Sequence, residues 1–119
     1  MAKENLIVDK TFKFSLTIIE LYRLLIDNKE FVLSKQILRS GTSIGANVEE
    51  AIGAISKKEF TAKMGISLKE ARETRYWLRL LDKSQLKEKN YSNELKEIEE
   101  IINILTAIVK TSQGNNKNL

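Results

Sequence analysis

The apolar residues of this chain fall into four stretches of helical period. From Asn5 to Asp27 a heptad seam steps by four and three through Ile7, Thr11, Phe14, Ile18, Leu21 and Leu25. One residue along lies a second stripe, Val8, Phe12, Ser15, Ile19, Tyr22 and Ile26. Two adjacent stripes cover a wider arc than one side of a small bundle needs, so this helix is either deeply buried or turns its second stripe to another subunit. The polar run Asp27-Asn28-Lys29-Glu30 predicts a turn.

A second periodic segment, 32–54, carries Ile37, Gly41, Ile44, Val48, Ala51 and Ile55 on one face. Glycine in a helix interior costs up to about 1 kcal/mol relative to alanine, so Gly41 and Gly45, four apart on one face, predict a close backbone approach. The rival, a phosphate-binding loop at Ser40–Gly45, lacks the lysine and the preceding strand such loops require. Ser56-Lys57-Lys58-Glu59 has the form of a capping box and opens a third helix reaching Lys83. Its seam is lean: Phe60, Met64, Ser67, Ala71, Thr74, Leu78 and Leu81. Those small positions should face the bulky first helix or the glycine-containing second one. After a polar connection, Ser92 or Asn93 can cap a fourth helix with seam Leu95, Ile98, Ile102, Leu105, Val109 and Ser112. Gly114 is placed to end it, leaving residues 113–119 as a frayed tail.

No segment alternates with the period of two expected of a strand. Four long amphipathic segments with short connections predict an all-α, antiparallel up-down-up-down four-helix bundle in one domain, residues 1–112. The absence of proline in 119 residues suits uninterrupted helices.

Composition narrows the chemistry. There is no histidine and no cysteine, which removes the commonest general base at neutral pH, every thiolate site, Ser-His-Asp triads and His-containing di-iron or zinc sites. No cofactor or metal is expected. The clusters Glu49-Glu50 and Glu97-x-Glu99-Glu100 are the carboxylate groups left for acid–base or hard-cation chemistry, but acids also suit the start of a helix. A non-enzyme is the expectation. The N-terminus has no signal-peptide layout, and no run reaches the roughly 18 apolar residues of a membrane span, so a cytoplasmic protein without a membrane partner is expected.

Charge changes the picture most. Residues 1–30 hold five basic and five acidic groups, 31–56 two and two, and 84–119 five and five. Residues 57–83 hold eight basic and four acidic, so the whole net charge of +4 belongs to the third helix. Within it Lys58, Ala62, Gly65, Lys69, Arg72, Tyr76, Arg79 and Lys83 form an acid-free stripe opposite the seam. Arginine and lysine can neutralise phosphates and Tyr76 can stack on a base, which makes Lys58, Lys69, Arg72, Tyr76, Arg79 and Lys83 candidate nucleic-acid contacts. Two other readings compete. The helix can be an ordinary solvated face partly neutralised by the pairs Lys69/Glu73, Arg79/Asp82 and Glu59/Lys63, or it can meet an acidic protein surface.

A polar set, Arg39, Ser43, Asn47 and Glu50, shares a face of the second helix beside the glycines. Partly buried, it would form a hydrogen-bonded structural network, with Glu50 reaching Arg72 or Arg75; a ligand site is the alternative. Glu70, Glu73 and Trp77 of the third helix are candidates for the same packing role.

Two stretches, Leu38-Arg39-Ser40-Gly41-Thr42-Ser43-Ile44-Gly45-Ala46-Asn47-Val48-Glu49-Glu50-Ala51 and Lys69-Glu70-Ala71-Arg72-Glu73-Thr74-Arg75-Tyr76-Trp77-Leu78, resemble the signatures of the 23S rRNA-intervening-sequence protein family of four-helix bundles. The order and spacing agree across residues 5–112, while Gly41 departs from the Ser or Ala usual there. The resemblance implies a left-handed antiparallel bundle, commonly a ring-shaped homopentamer. It also implies bacterial reading frames inserted in large-subunit rRNA genes, and relatives serving diversity-generating retroelements, to which binding of nucleic acid and a reverse transcriptase is ascribed. Two expectations follow: an oligomeric bundle associated with rRNA or another nucleic acid, or an interaction scaffold in which Arg39, Asn47, Glu50, Glu70, Glu73 and Trp77 specify assembly.

Overall fold

The computed structural model describes the backbone of residues 2–86 and 88–117 and the side chains of residues 5–86 and 88–114. Four helices make it up: α1 (Ala2–Asp27), α2 (Leu33–Ile52), α3 (Lys57–Ser84) and α4 (Ser92–Lys117). No strand occurs among the described residues.

Residue pairs across the helix boundaries fix the directions. Gly45 lies against Thr11 and Gly41 against Ile18, so α2 runs antiparallel to α1. Ser67 reaches Ile44 and Thr74 reaches Ser40, which sets α3 antiparallel to α2. Thr61 meets Ser112 while Arg75 meets Glu99, which reverses α4 against α3. Lys10 closes the ring on Glu100 of α4. The outcome is the expected up-down-up-down bundle, 52 Å long and about 22 Å across.

The first seam is buried throughout, from Ile7 to Leu25. Its neighbour stripe is not: Phe12 is 65% exposed and Val8, Ile19, Tyr22 and Ile26 are half-buried. The expectation of a helix buried on both stripes therefore fails within one chain, because α1 touches two helices and the second stripe faces outward. In α4 the expected seam residues Ile98, Ile102, Leu105 and Ser112 are buried, while Leu95 and Val109 lie at the edge. Ile101 and Ile108 beside them are buried too, as is Glu94, so the buried face is wider than the single seam.

Small residues do two separate jobs. A Cβ at Gly41 would lie 2.8 Å from both Cγ atoms of Ile18, and one at Gly45 would lie 3.3 Å from the Thr11 carbonyl oxygen. The two glycines therefore admit α1. The small residues of α3 instead face α2, where the Ser67 hydroxyl donates to the Ile44 carbonyl at 2.8 Å and the Thr74 hydroxyl meets that of Ser40 at 2.9 Å. Both bonds lie in the buried interior and leave those hydroxyls satisfied.

The helix ends follow local chemistry, with corrections. The Ser56 hydroxyl accepts from the Glu59 N–H at 3.0 Å, and the Glu59 carboxylate accepts from the Ile55 N–H at 3.0 Å. That is a capping box whose return arm lands one residue early. α1 ends in a Schellman pair, Lys29 N–H to Ile26 and Glu30 N–H to Leu25, with Lys29 left-handed at φ 64°. The Glu30 carboxylate then accepts from the N–H groups of Val32, Leu33 and Ser34, and so begins α2. α2 stops at Ile52, which leaves Ile55 outside the helix and 96% exposed rather than on its buried face. α4 takes its side-chain cap from Asn90, whose oxygen accepts from the Ser92 N–H at 2.9 Å, not from Ser92 or Asn93. It continues past Gly114 to Lys117, so Gly114 is not its C-cap. Asn118 and Leu119 of the expected tail lie outside the described residues.

Candidate nucleic-acid interface

α3 has partners on two sides, α2 and α4, and its third side faces solvent. Lys58, Lys69, Arg72, Tyr76, Arg79 and Lys83 all occupy that third side and all are exposed. Between Lys58 and Lys83 the stripe extends for about 38 Å at 1.5 Å per residue. It lies opposite Met64, Ser67, Ala71, Thr74, Leu78 and Leu81, which are buried. Tyr76, 54% exposed, sits midway along it. Its ring meets that of Trp77 edge-on, with centroids 5.2 Å apart.

Pairing sorts the charges of α3 into two classes. On the flanks, Lys63 binds Glu50 of α2 at 2.7 Å and Arg75 binds Glu99 of α4 at 2.9 Å. The bond to Glu50 holds the Lys63 ammonium above its ordinary pKa, with the Glu50 and Glu59 charges adding to it against desolvation. The acids Glu70 and Glu73 both turn to Arg39 of α2, Glu70 at 3.2 Å. The pairs expected within α3 are therefore not made: Glu73 takes Arg39 rather than Lys69, and Lys63 takes Glu50 rather than Glu59. Spacing of four makes such pairs geometrically available, but a neighbouring helix offers better-oriented, partly desolvated partners. Lys58, Lys69, Arg72, Arg79 and Lys83 form no ion pair among the described residues. The intrahelical neutralisation that would make this an ordinary solvated face is thus absent there.

The polar set of α2 divides. Arg39 joins Glu70 and Glu73, and Glu73 also accepts the Trp77 indole N–H at 2.9 Å, so these four side chains tie α2 to α3. Ser43 and Asn47 do not enter that group. Their side chains donate to carbonyls four residues back, of Arg39 at 2.6 Å and of Ser43 at 2.9 Å. Glu50 pairs with Lys63, not with Arg72 or Arg75. The expected single network is therefore two interhelical clusters with two self-satisfied residues between them. Local hydrogen bonding competes with long-range partners for short polar side chains, and here it wins.

The acidic cluster of α4 does not converge either. Glu100 pairs with Lys10 at 3.2 Å and Glu99 with Arg75, while burial and the nearby Glu94 raise the Glu97 carboxyl above the ordinary range. Among the described residues, no group of three or more carboxylates could hold a metal ion. No helix among them is long and apolar enough to cross a membrane.

A family model described as 23S rRNA-intervening sequence protein matches residues 3–107, most of the chain and both of its signature stretches. The chain belongs to that family. A solved structure from Bacteroides thetaiotaomicron, a protein with unknown function from the S23 ribosomal protein family, is similar throughout. Its identity is 46% with a TM-score of 0.86, covering 91% of this chain and 98% of that one. Among curated proteins none matches. For this member of the 23S rRNA-intervening sequence proteins, the likeness secures the helical fold. Arg39, Glu70, Glu73 and Trp77 of its two signature stretches become one interhelical cluster in space, while Arg72 and Tyr76 from the same stretch face solvent.

Proposed function

We propose that this protein is a non-enzymatic, homo-oligomeric bundle that holds structured RNA by its phosphate backbone along the exposed side of α3. One observation carries the reading: five cations share a straight face with no acid paired to them among the described residues, while Glu50, Glu70, Glu73 and Glu99 on the flanks are engaged with Lys63, Arg39 and Arg75. A straight row of cations with a single aromatic suits a backbone followed along a duplex better than a strand of stacked bases. Such a partner places the protein in the cytoplasm. Catalysis has no support in the side chains available: the chain has no histidine, and the hydroxyls of Ser67, Thr74 and Thr61 bond to carbonyls or other hydroxyls rather than to a base.

The test is an electrophoretic shift with structured rRNA fragments at low salt. Binding is expected, and Arg72→Glu/Arg79→Glu should abolish it. Binding that is absent at low salt, or that survives the double reversal, sinks the proposal.

A second reading, a protein-interaction scaffold, rests on a different observation. Leu6, Phe12 and Leu16 are exposed on α1, and Val8, Phe12 and Ile19 line a shallow groove against Gly45 and Ala46 of α2. An apolar face of this kind marks a contact with another chain. A further copy is the first occupant to test, with five subunits as the count suggested by family resemblance, and a reverse transcriptase is the second. Light scattering of the wild type and of Phe12→Glu separates this face from the RNA face. A wild-type monomer would remove the oligomeric part of both readings.

A further inference from the structure

The cations on the outer side of α3 are interrupted by one large uncharged side chain. Tyr76 stands between Arg72 and Arg79, four residues after the first and three before the second. At 1.5 Å per residue that is about 6 Å along the axis from one arginine and about 4.5 Å from the other. All three are exposed, and steps of four and three keep them on one side of the helix. Lys69 continues the row before Arg72 and Lys83 continues it after Arg79, so Tyr76 has two cations on either side.

The ring is braced from behind. It meets the Trp77 ring edge-on at 5.2 Å, and Trp77 is packed against the core. The Trp77 indole N–H donates to the Glu73 carboxylate at 2.9 Å, and Glu73 pairs with Arg39 of α2. A side chain supported in this way loses less freedom when it engages a partner than one standing alone.

Resting on the reading of α3 as a surface for RNA backbone, we propose that Tyr76 is the residue by which this protein tells RNA from DNA, its hydroxyl bonding a ribose 2′-OH. Sugars alternate with phosphates along a strand, so two arginines on phosphates set the residue between them against sugar. In a duplex the bases are stacked on one another, which leaves the phenol its hydroxyl rather than its ring face to offer. Duplex RNA displays its 2′-hydroxyls along a wide, shallow minor groove, and DNA has no such group. Phosphates are common to both polymers, and arginine and lysine only donate. A phenol both donates and accepts, as the 2′-OH does, and Tyr76 is the one residue of the stripe whose side chain can do so.

The test is a filter-binding comparison of the wild type and Tyr76→Phe on an RNA duplex and on the DNA duplex of the same sequence. Phenylalanine keeps the ring and its contact with Trp77, and the position is 54% exposed, so the fold is preserved. Tyr76→Phe should weaken RNA binding about fivefold, as for one hydrogen bond, and leave DNA binding where it was. Its salt dependence should match the wild type because the phosphate contacts remain. Unchanged RNA affinity, or an equal loss on both duplexes, overturns the proposal. A wild type that binds neither duplex removes the RNA reading itself, whereas one that binds both alike removes only the role given to Tyr76.

Discussion

The two glycines at Gly41 and Gly65 sit in the middle of helices, yet alanine should act on them in opposite directions. On helical propensity alone, each substitution gains up to about 1 kcal/mol. At Gly65 nothing lies within 4 Å of a new Cβ, so that gain stands. At Gly41 the new carbon would come within 2.8 Å of both Cγ atoms of Ile18 and 3.2 Å of its Cβ. Ile18 is β-branched and fully buried, so its χ1 has one comfortable setting and the side chain cannot swing away. Relief then requires α1 and α2 to separate, and overpacking of that kind costs about 1–3 kcal/mol. The net for Gly41→Ala is a loss of about 1 kcal/mol. For a domain of this size that is about 4 °C of melting temperature, with Gly65→Ala rising by a similar amount. Thermal unfolding followed by far-ultraviolet circular dichroism measures both. In an Ile18→Ala background both 2.8 Å contacts are gone and only the 3.2 Å approach to Cβ is left, so the loss from Gly41→Ala should there shrink by at least half. If Gly41→Ala raises the melting temperature of the wild type as much as Gly65→Ala does, the close approach of α1 and α2 is not what requires glycine.

Three further outcomes are expected. If five cations of α3 engage duplex phosphates, RNA affinity should fall about 500-fold between 50 and 200 mM salt, from a log–log slope of about −4.5. Arg72→Gln/Arg79→Gln should flatten that slope by about 1.8, and an unchanged slope in a filter-binding titration would refute the contact set. Lys29 holds a left-handed backbone at φ 64° without being glycine, so Lys29→Gly should stabilise by about 1 kcal/mol in chemical denaturation. A loss instead would show that the Lys29 side chain contributes more than its backbone costs. Glu97 has a folded pKa raised mainly by burial, then by Glu94, against the opposing Lys10. Its ionised form is therefore the disfavoured one, and the cost appears as pH rises from the unfolded carboxylate pKa through the raised folded value. Glu97→Gln should give a small rise in melting temperature at pH 7 that vanishes below about pH 4. A rise that persists in acid would point to packing rather than charge.

The bundle was legible because its seams are long. Ile7 to Leu25 recurs over six positions at four-and-three spacing, and no alternative period fits so many residues. The exposure of the α3 stripe was legible for the same reason, since a face opposite a long seam has one place to go. The partners of the charges were not. Spacing of three or four along α3 is visible in a sequence, whereas the arrival of Glu50, Arg39 and Glu99 beside it depends on the register between helices. That register is set by contacts such as Gly41 on Ile18, which no periodicity reports. The end of α2 was missed because Ile55 continues the apolar spacing, and the capping box three residues after Gly53 already required the chain to leave the helix. Ser43 and Asn47 looked like members of a network because they share its face. Their bonds to the preceding turn carry no signal beyond residue type.

Trp77 deserves a use beyond its role as a tie between helices. It is the sole tryptophan of the chain, it donates to Glu73 in the cluster that joins α2 to α3, and its ring meets the edge of Tyr76. Its fluorescence is thus an intrinsic optical readout placed between the core contact and the solvent face. A ligand that covers Tyr76 alters the emission from one side, and a slip of α2 along α3 alters it from the other, with no label attached to the protein.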